Sequence, residues 1–325
     1  MANSIYANAR AKALESTLID SDRLKRMIEC ENVDDAIKIL AEINFGEGGV
    51  QTRDDFETLI LLEQRKLNDF ILNNCASNSF KNFMLYRNDF LNAEGLIKAK
   101  YLKVDSSSLT GEKGTFEVDK LKEIIMTDDY KNLPKTLADA LLKCDEEFVS
   151  NRATGSSIGS IIHKALYNEL LNQAKKDKNI LTIFKAQADG INSCSALRCR
   201  DFNAVKEFFI EGGNLTLMDV KSLSEDSFDQ LLTRFKFFEN KEIILSAIES
   251  AEKNMPLSTA EKLIESFPLK FLSKQKYQTE GIIPFMLYCY YKLADLQNIR
   301  IILVGIKNKF SKDDIKSRLR DCYAG

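Results

Sequence analysis

Asp295-Leu-Gln-Asn298-Ile-Arg-Ile-Ile-Leu-Val-Gly305 has two echoes upstream, Asp89-Phe-Leu-Asn92-Ala-Glu-Gly-Leu-Ile-Lys-Ala99 and Asp177-Lys-Asn179-Ile-Leu-Thr-Ile-Phe-Lys-Ala186. Each window sets an acid shortly before an asparagine. Apolar residues follow one, four and five positions after it: Ala93, Leu96 and Ile97; Ile180, Ile183 and Phe184; Ile299, Ile302 and Leu303. That spacing is one face of an α-helix. Seven positions on, Ala99, Ala186 and Gly305 are small enough for a neighbouring helix to approach closely. One helical solution used three times is the expectation, and repeats of this kind decide architecture.

A second triplet follows each window: Gly114-Thr-Phe116-Glu-Val-Asp119-Lys-Leu121, Gly213-Asn-Leu215-Thr-Leu-Met-Asp219-Val220 and Asn308-Lys-Phe310-Ser-Lys-Asp-Asp314-Ile315. Gly or Asn suits a tight turn. Thr216 and Ser311 then read as N-caps with Asp219 and Asp314 three residues on, while the first copy lacks a hydroxyl cap. The pairs Phe116 with Leu121, Leu215 with Val220 and Phe310 with Ile315 read as hydrophobic staples at helix entry.

The rest of the 325 residues agrees with an all-α chain. Only four prolines occur, and apolar stripes at helical spacing recur, as in Ile158, Ile161, Ile162, Ala165, Leu166 and Leu170. Breaks are expected at residues 45–49, 105–114, 151–157, 189–195 and 254–258. A hydrophobic fraction of 44% with 29% charged residues describes a chain with ample material for a core. The formal net charge of -2 excludes a global basic field of the kind nucleic acid attracts. Seven cysteines without a CxxC, beside a single histidine, read as free thiols in a reducing compartment and leave no metal cluster. No stretch reaches the roughly 20 apolar residues of a membrane span, and the N-terminus carries no signal peptide.

Catalytic signatures are sparse. His163, among Ile161, Ile162 and Ala165, is a general base only if a nucleophile or acid converges on it. Gly155-Ser-Ser-Ile-Gly159 lacks the Lys-Ser/Thr ending of a phosphate loop. No cofactor is expected. From residue 298 to 321, seven basic residues outnumber three acids, which reads either as a docking face or as a solvated surface, and Arg300 within it as partly buried and paired.

Laid out this way, the sequence resembles the C subunit (also called d) of the V-type and A-type rotary ATPases. The resemblance rests on Tyr290-Tyr291, the Asn298-Ile299-Arg300 helix, the ending Ile315-Lys-Ser-Arg318-Leu319 with Tyr323, the segment from Asp89 through Lys98, Lys100 and Tyr101, the opening Tyr6-Ala-Asn-Ala-Arg10, and the turn Gly212-Gly213. Ala93-Glu94-Gly95 departs from the family pattern, as does the absence of Arg two after Asn179.

The resemblance implies a non-catalytic coupling subunit with three degenerate helical units, residues 1–130, 131–232 and 233–325, around a pseudo-threefold axis as a funnel. Its implied partners are the D and F subunits of the central stalk and the membrane proteolipid (c/K) ring. Its implied place is cytoplasmic, peripheral to the membrane, in a complex moving protons or sodium ions. Candidates for structural or interface roles are Arg10, Asn92, Lys98, Asn179, Lys185, Asn298, Arg300, Lys307 and Arg318, with the three asparagines orienting equivalent helices. A helical adaptor with an unrelated partner, and an enzyme using His163, are the competing readings.

Overall fold

The computed structural model describes residues 4–48, 56–278 and 281–323. Among them the chain is all-α, with no strand and one isolated parallel bridge between Asp20 and Tyr323. It divides into two units, one formed by Met1–Asn78 with Glu265–Gly325 and the other by Ser79–Ile264.

The helices, in chain order, begin with α1 (Ser4–Leu14), α2 (Ser21–Glu29), α3 (Val33–Ala41) and α4 (Phe56–Asn74). Then come α5 (Asn78–Leu102), α6 (Val118–Thr127), α7 (Lys135–Val149), α8 (Gly155–Ala174), α9 (Lys178–Cys199), α10 (Phe202–Val205), α11 (Leu217–Glu225), α12 (Phe228–Phe235) and α13 (Lys241–Glu252). The last three are α14 (Ser258–Ser273), α15 (Ile283–Lys307) and α16 (Lys312–Arg318).

Local chemistry sets many of these ends. Asp20 accepts from the Arg23 amide to cap α2, Asn32 caps α3, and Thr216 with Asp219 forms a reciprocal capping box on α11. Ser311 caps α16 through Asp314, and Glu117 leaves α6 without a side-chain cap. Pro284 sits in the first turn of α15, where its missing amide is harmless. Pro268, by contrast, lies inside α14.

In the first unit α15 is the central rod. Ile299, Ile302 and Leu303 on it are fully buried, and Phe285 stacks on Phe70 of α4 at 5.0 Å between ring centroids. Gly305 lets α16 lie close: a Cβ there would stand 2.6 Å from Ile315. In the second unit α5 and α9 bury the corresponding sides, with Leu96, Ile97, Ile180 and Ile183 excluded from solvent. Complete burial of such side chains contributes about 1.5–3 kcal/mol each before conformational entropy opposes it.

Of the expected breaks, 105–114 is loop and turn throughout, 151–157 is non-helical only through residue 154, Gly155 opening α8, and 254–258 only through residue 257, Ser258 opening α14; 45–48 is a short 3-10 turn, and Gly49 lies outside the described residues. Residues 189–195 are not a break. They run as regular helix in the middle of α9. Their polar and small residues are turned into the protein, where Asp189, Asn192 and Ser193 are buried and a Cβ on Gly190 would stand 2.4 Å from Ile264.

Candidate functional site

Positions three apart on a helix share a face, so an Asp-x-x-Asn tetrapeptide presents a carboxylate and an amide side by side. On α5, Asp89 and Asn92 are both buried and grip the loop that follows the helix. Asp89 accepts from the Thr115 amide at 2.9 Å, the Thr115 hydroxyl at 2.6 Å and the Phe116 amide at 3.1 Å. Asn92 accepts from the Gly111 amide at 2.7 Å and donates to the Glu112 carbonyl at 2.9 Å. Two glycines make the approach possible: a Cβ on Gly114 would lie 2.4 Å from Asp89 Oδ1, and one on Gly95 would lie 2.0 Å from the Leu109 carbonyl oxygen.

The second copy is Asp189-Gly-Ile-Asn192 on α9. Asp189 accepts from the Asn214 amide at 2.7 Å, its Nδ2 at 2.8 Å, the Leu215 amide at 2.9 Å and Asn240 Nδ2 at 3.2 Å. Asn192 accepts from the Ile210 amide at 2.9 Å and donates to the Ile210 carbonyl at 2.8 Å. Gly213 stands to Asp189 as Gly114 does to Asp89, with 2.4 Å to its Oδ1 from a built Cβ. Asn179 does not occupy this position: it lies in the first turn of α9, where its amide donates to the capping Asp177 at 2.8 Å.

The third copy, on α15, gathers its partners from opposite ends of the chain. Asn298 accepts from the Arg320 amide at 2.8 Å and donates to the Arg320 carbonyl at 3.1 Å. Asp295 accepts from the Ile19 amide at 3.0 Å. The spacing to the next helix is the same in all three: Phe116 precedes α6 by two residues, Leu215 precedes α11 by two, and Ile19 precedes α2 by two. Leu24, five residues after Ile19, is buried as well, which is the spacing of Phe116 with Leu121 and of Leu215 with Val220. Phe310 is 44% exposed and lies under the Arg318 guanidinium at 5.3 Å.

Burial dominates the titration of the three aspartates. It pushes Asp89 up to about 6 against the hydrogen bonds from Thr115 and Phe116. It raises Asp189 against those from Leu215, Asn214 and Asn240, and lifts Asp295 to about 7 against Ile19 and the charge of Lys292.

A second buried polar group fastens α4 to α15. Glu63 and Lys292, each 6% exposed, pair at 2.6 Å, and Glu63 also accepts from Lys66 at 2.8 Å and the Gly46 amide at 3.0 Å. Burial works to raise the Glu63 carboxyl, and Lys292 together with those donors outweighs it, leaving it below its ordinary range.

The remaining candidates lie outside these clamps. Arg300 is exposed rather than partly buried, because it lies on the outward side of α15; it is paired, with Glu57 in the first turn of α4 at 2.8 Å. Lys307 reaches the same turn, its ammonium 5.7 Å from the Phe56 ring. Arg10 donates to Asn74 at 2.8 Å, Lys98 pairs with Glu94 at 2.5 Å, and Lys185 is half-buried on α9. Of the C-terminal basic run, Lys312 and Lys316 meet Glu29 and Arg320 meets Glu265, so much of its charge is matched within its own unit.

His163 is half-buried beside Tyr167, with ring centroids at 4.7 Å, and Phe208 at 6.1 Å; burial, then Arg87, lower its pKa. Among the described residues no group of His, Cys, Asp and Glu is arranged to hold a metal ion, and no helix is long and apolar enough to cross a membrane.

Asn192 and Asp189 are the residues that the sequence windows miss. Their signal is present as Asp-x-x-Asn followed by Gly213-Asn214-Leu215, the same order as Asp89 to Phe116.

Two curated proteins align over almost the whole chain. The C subunit of the V-type sodium ATPase of Enterococcus hirae is 23% identical, covering 97% of this chain and 98% of its own length. The C subunit of the A-type ATP synthase of Thermococcus kodakarensis is 22% identical, covering 96% of this chain and 88% of its own. Residues 7–318 match the ATP synthase (C/AC39) subunit family, a span that takes in all three clamped helices. On that match the chain belongs to the ATP synthase (C/AC39) subunit family of the rotary V- and A-type ATPases.

Proposed function

We propose that this chain is the non-catalytic coupling subunit of a rotary V/A-type ATPase, standing between the D and F subunits of the central stalk and the proteolipid (c/K) ring and carrying torque during proton or sodium transport. Its place is then at the cytoplasmic side of the membrane, held there by the complex. Three helical modules around a pseudo-threefold axis, forming a funnel for the stalk tip, complete the reading. The third of them uses α15 from the C-terminal part and α2 from the N-terminal part.

The observation that carries this reading is the recurrence of the Asp-x-x-Asn clamp on α5, α9 and α15. A part that transmits torque needs stiffness and an interface that holds under load. A buried clamp fixing each long helix to the entry of a shorter one supplies stiffness, because breaking it strands a buried polar group. Exposed Arg300, Lys307 and Arg318, with Arg10, Lys98 and Lys185, are the side chains proposed to meet the neighbouring subunits.

The test is reconstitution. Membranes carrying the ring are combined with the catalytic sector and stalk, with and without this chain, and ATP-driven ion uptake is followed beside ATP hydrolysis. Hydrolysis persisting while ion uptake is lost without the chain is the expected result. Equal uptake in its absence would overturn the reading.

A further inference from the structure

The third clamp differs from the other two in what it holds and in how well it is bonded. The first two close on the loop that follows them, Asp189 taking Asn240 as well, whereas the third closes on segments from both ends of the chain. The ends also touch directly: Asp20 and Tyr323 form the parallel bridge, and the Tyr323 hydroxyl donates to Glu15 at 2.6 Å. Asp89 receives three donors and Asp189 four. Asp295, equally excluded from solvent, receives only the Ile19 amide on Oδ2, and its Oδ1 has no hydrogen-bond partner among the described residues.

A buried carboxylate with one donor is poorly compensated, and the cheapest relief is a proton. We propose that Asp295 operates a proton-linked latch: while its carboxyl is neutral, Ile19 and Arg320, from opposite ends of the chain, stay fastened to α15, and ionisation loosens them.

The groups facing Asp295 support this. Lys292 and Tyr288 lie on α15 itself, Asp20 faces it from the entry to α2, and Cys322 from the C-terminal segment. Lys292 is the one cation among them, and its charge is already shared with Glu63 at 2.6 Å. Asp20, engaged with Arg23, adds a like charge that further disfavours ionisation of Asp295.

The direction follows from linkage. Closed, the Asp295 carboxyl sits at about 7; open to solvent, it returns toward 3.8. Between those values the closed state binds the proton and the open state does not, so closure weakens as pH rises and is weakest above 7.

Amide hydrogen exchange in the full chain, corrected for the intrinsic chemical rate, reads the latch at Ile19 and Arg320. Between about pH 6 and about pH 8 their protection falls about tenfold in the wild type, and in Asp295→Asn it does not change with pH. Equal protection at both pH values in the wild type, or the same fall in Asp295→Asn, overturns the latch. Should Asp295→Asn fail to fold, carboxyl carbon-13 titration of wild-type Asp295 decides. A midpoint near 7 supports the proposal, and one in the ordinary aspartate range overturns it.

Discussion

At the scale of single residues, Asp89 shows how burial and hydrogen bonding compete. Its three donors favour the carboxylate, yet exclusion from solvent wins and the group sits at about 6. A folded-state pKa above the unfolded 3.8 means that the native protein holds an extra proton between those values, so this carboxyl lowers stability as pH rises through that window. Asp89→Asn keeps an acceptor for the Thr115 and Phe116 amides without the charge. The difference in unfolding free energy between variant and wild type should therefore move in the variant's favour by about 2–3 kcal/mol from about pH 4 to about pH 7, measured by urea titration. A difference independent of pH would show that Asp89 titrates as an ordinary surface carboxyl.

The elements add a second requirement, that each long helix be tied to the loop it faces. Asn192→Ala strands the amide and the carbonyl of Ile210 in a buried setting and should cost about 1–3 kcal/mol, whereas Asn179→Ala, in the first turn of the same helix, should cost under about 1 kcal/mol. Urea midpoints of the two variants separate the positions. Lys292→Met leaves Glu63 buried with Lys66 and the Gly46 amide as its remaining donors, and should cost about 3 kcal/mol. The double variant Glu63→Leu with Lys292→Met should recover only part of that loss, since the apolar pair itself needs no compensation but the buried Gly46 amide is left without its acceptor. Equal costs for the single and double variants would mean that the packing, not the pair, matters.

Much of this level is legible in the sequence. The apolar spacing after Asn92 and Asn298, the caps at Thr216 and Ser311, and the order Gly, any residue, apolar, then helix at Phe116 and Leu215 all reappear as geometry. Residues 189–195 mislead for a physical reason. Asp, Gly, Asn and Ser favour turns when exposed, because their side chains compete for the backbone, and single-residue propensity does not register that here they form a buried polar face. The third loop is hidden for another reason: the partner of Asp295 is Ile19, 276 residues upstream of it, whereas the loops held by Asp89 and Asp189 follow their helices in the chain.

For the whole molecule, that rearrangement makes residues 319–323 structural although they belong to no helix. Arg320 holds Asn298 through its backbone and Glu265 through its guanidinium, and Tyr323 holds Asp20 and Glu15. Removing residues 319–325 leaves Asn298 buried without its two backbone partners and the entry to α2 without its bridge. The truncated chain should lose at least about 3 kcal/mol of stability in the unit that contains both ends, from two stranded hydrogen-bonding groups and the lost charge-assisted pair. Exchange protection should fall first along residues 17–29, because Ile19 and the cap of α2 depend on the same closure. Protection at Thr115 and Phe116, held by Asp89 in the other unit, supplies the internal reference, as their donors and acceptor are untouched by the deletion. If residues 17–29 keep their protection in the truncated chain while Thr115 and Phe116 keep theirs, the C-terminal segment is an ornament on α15 and the third clamp is held by the Asp295 bond alone.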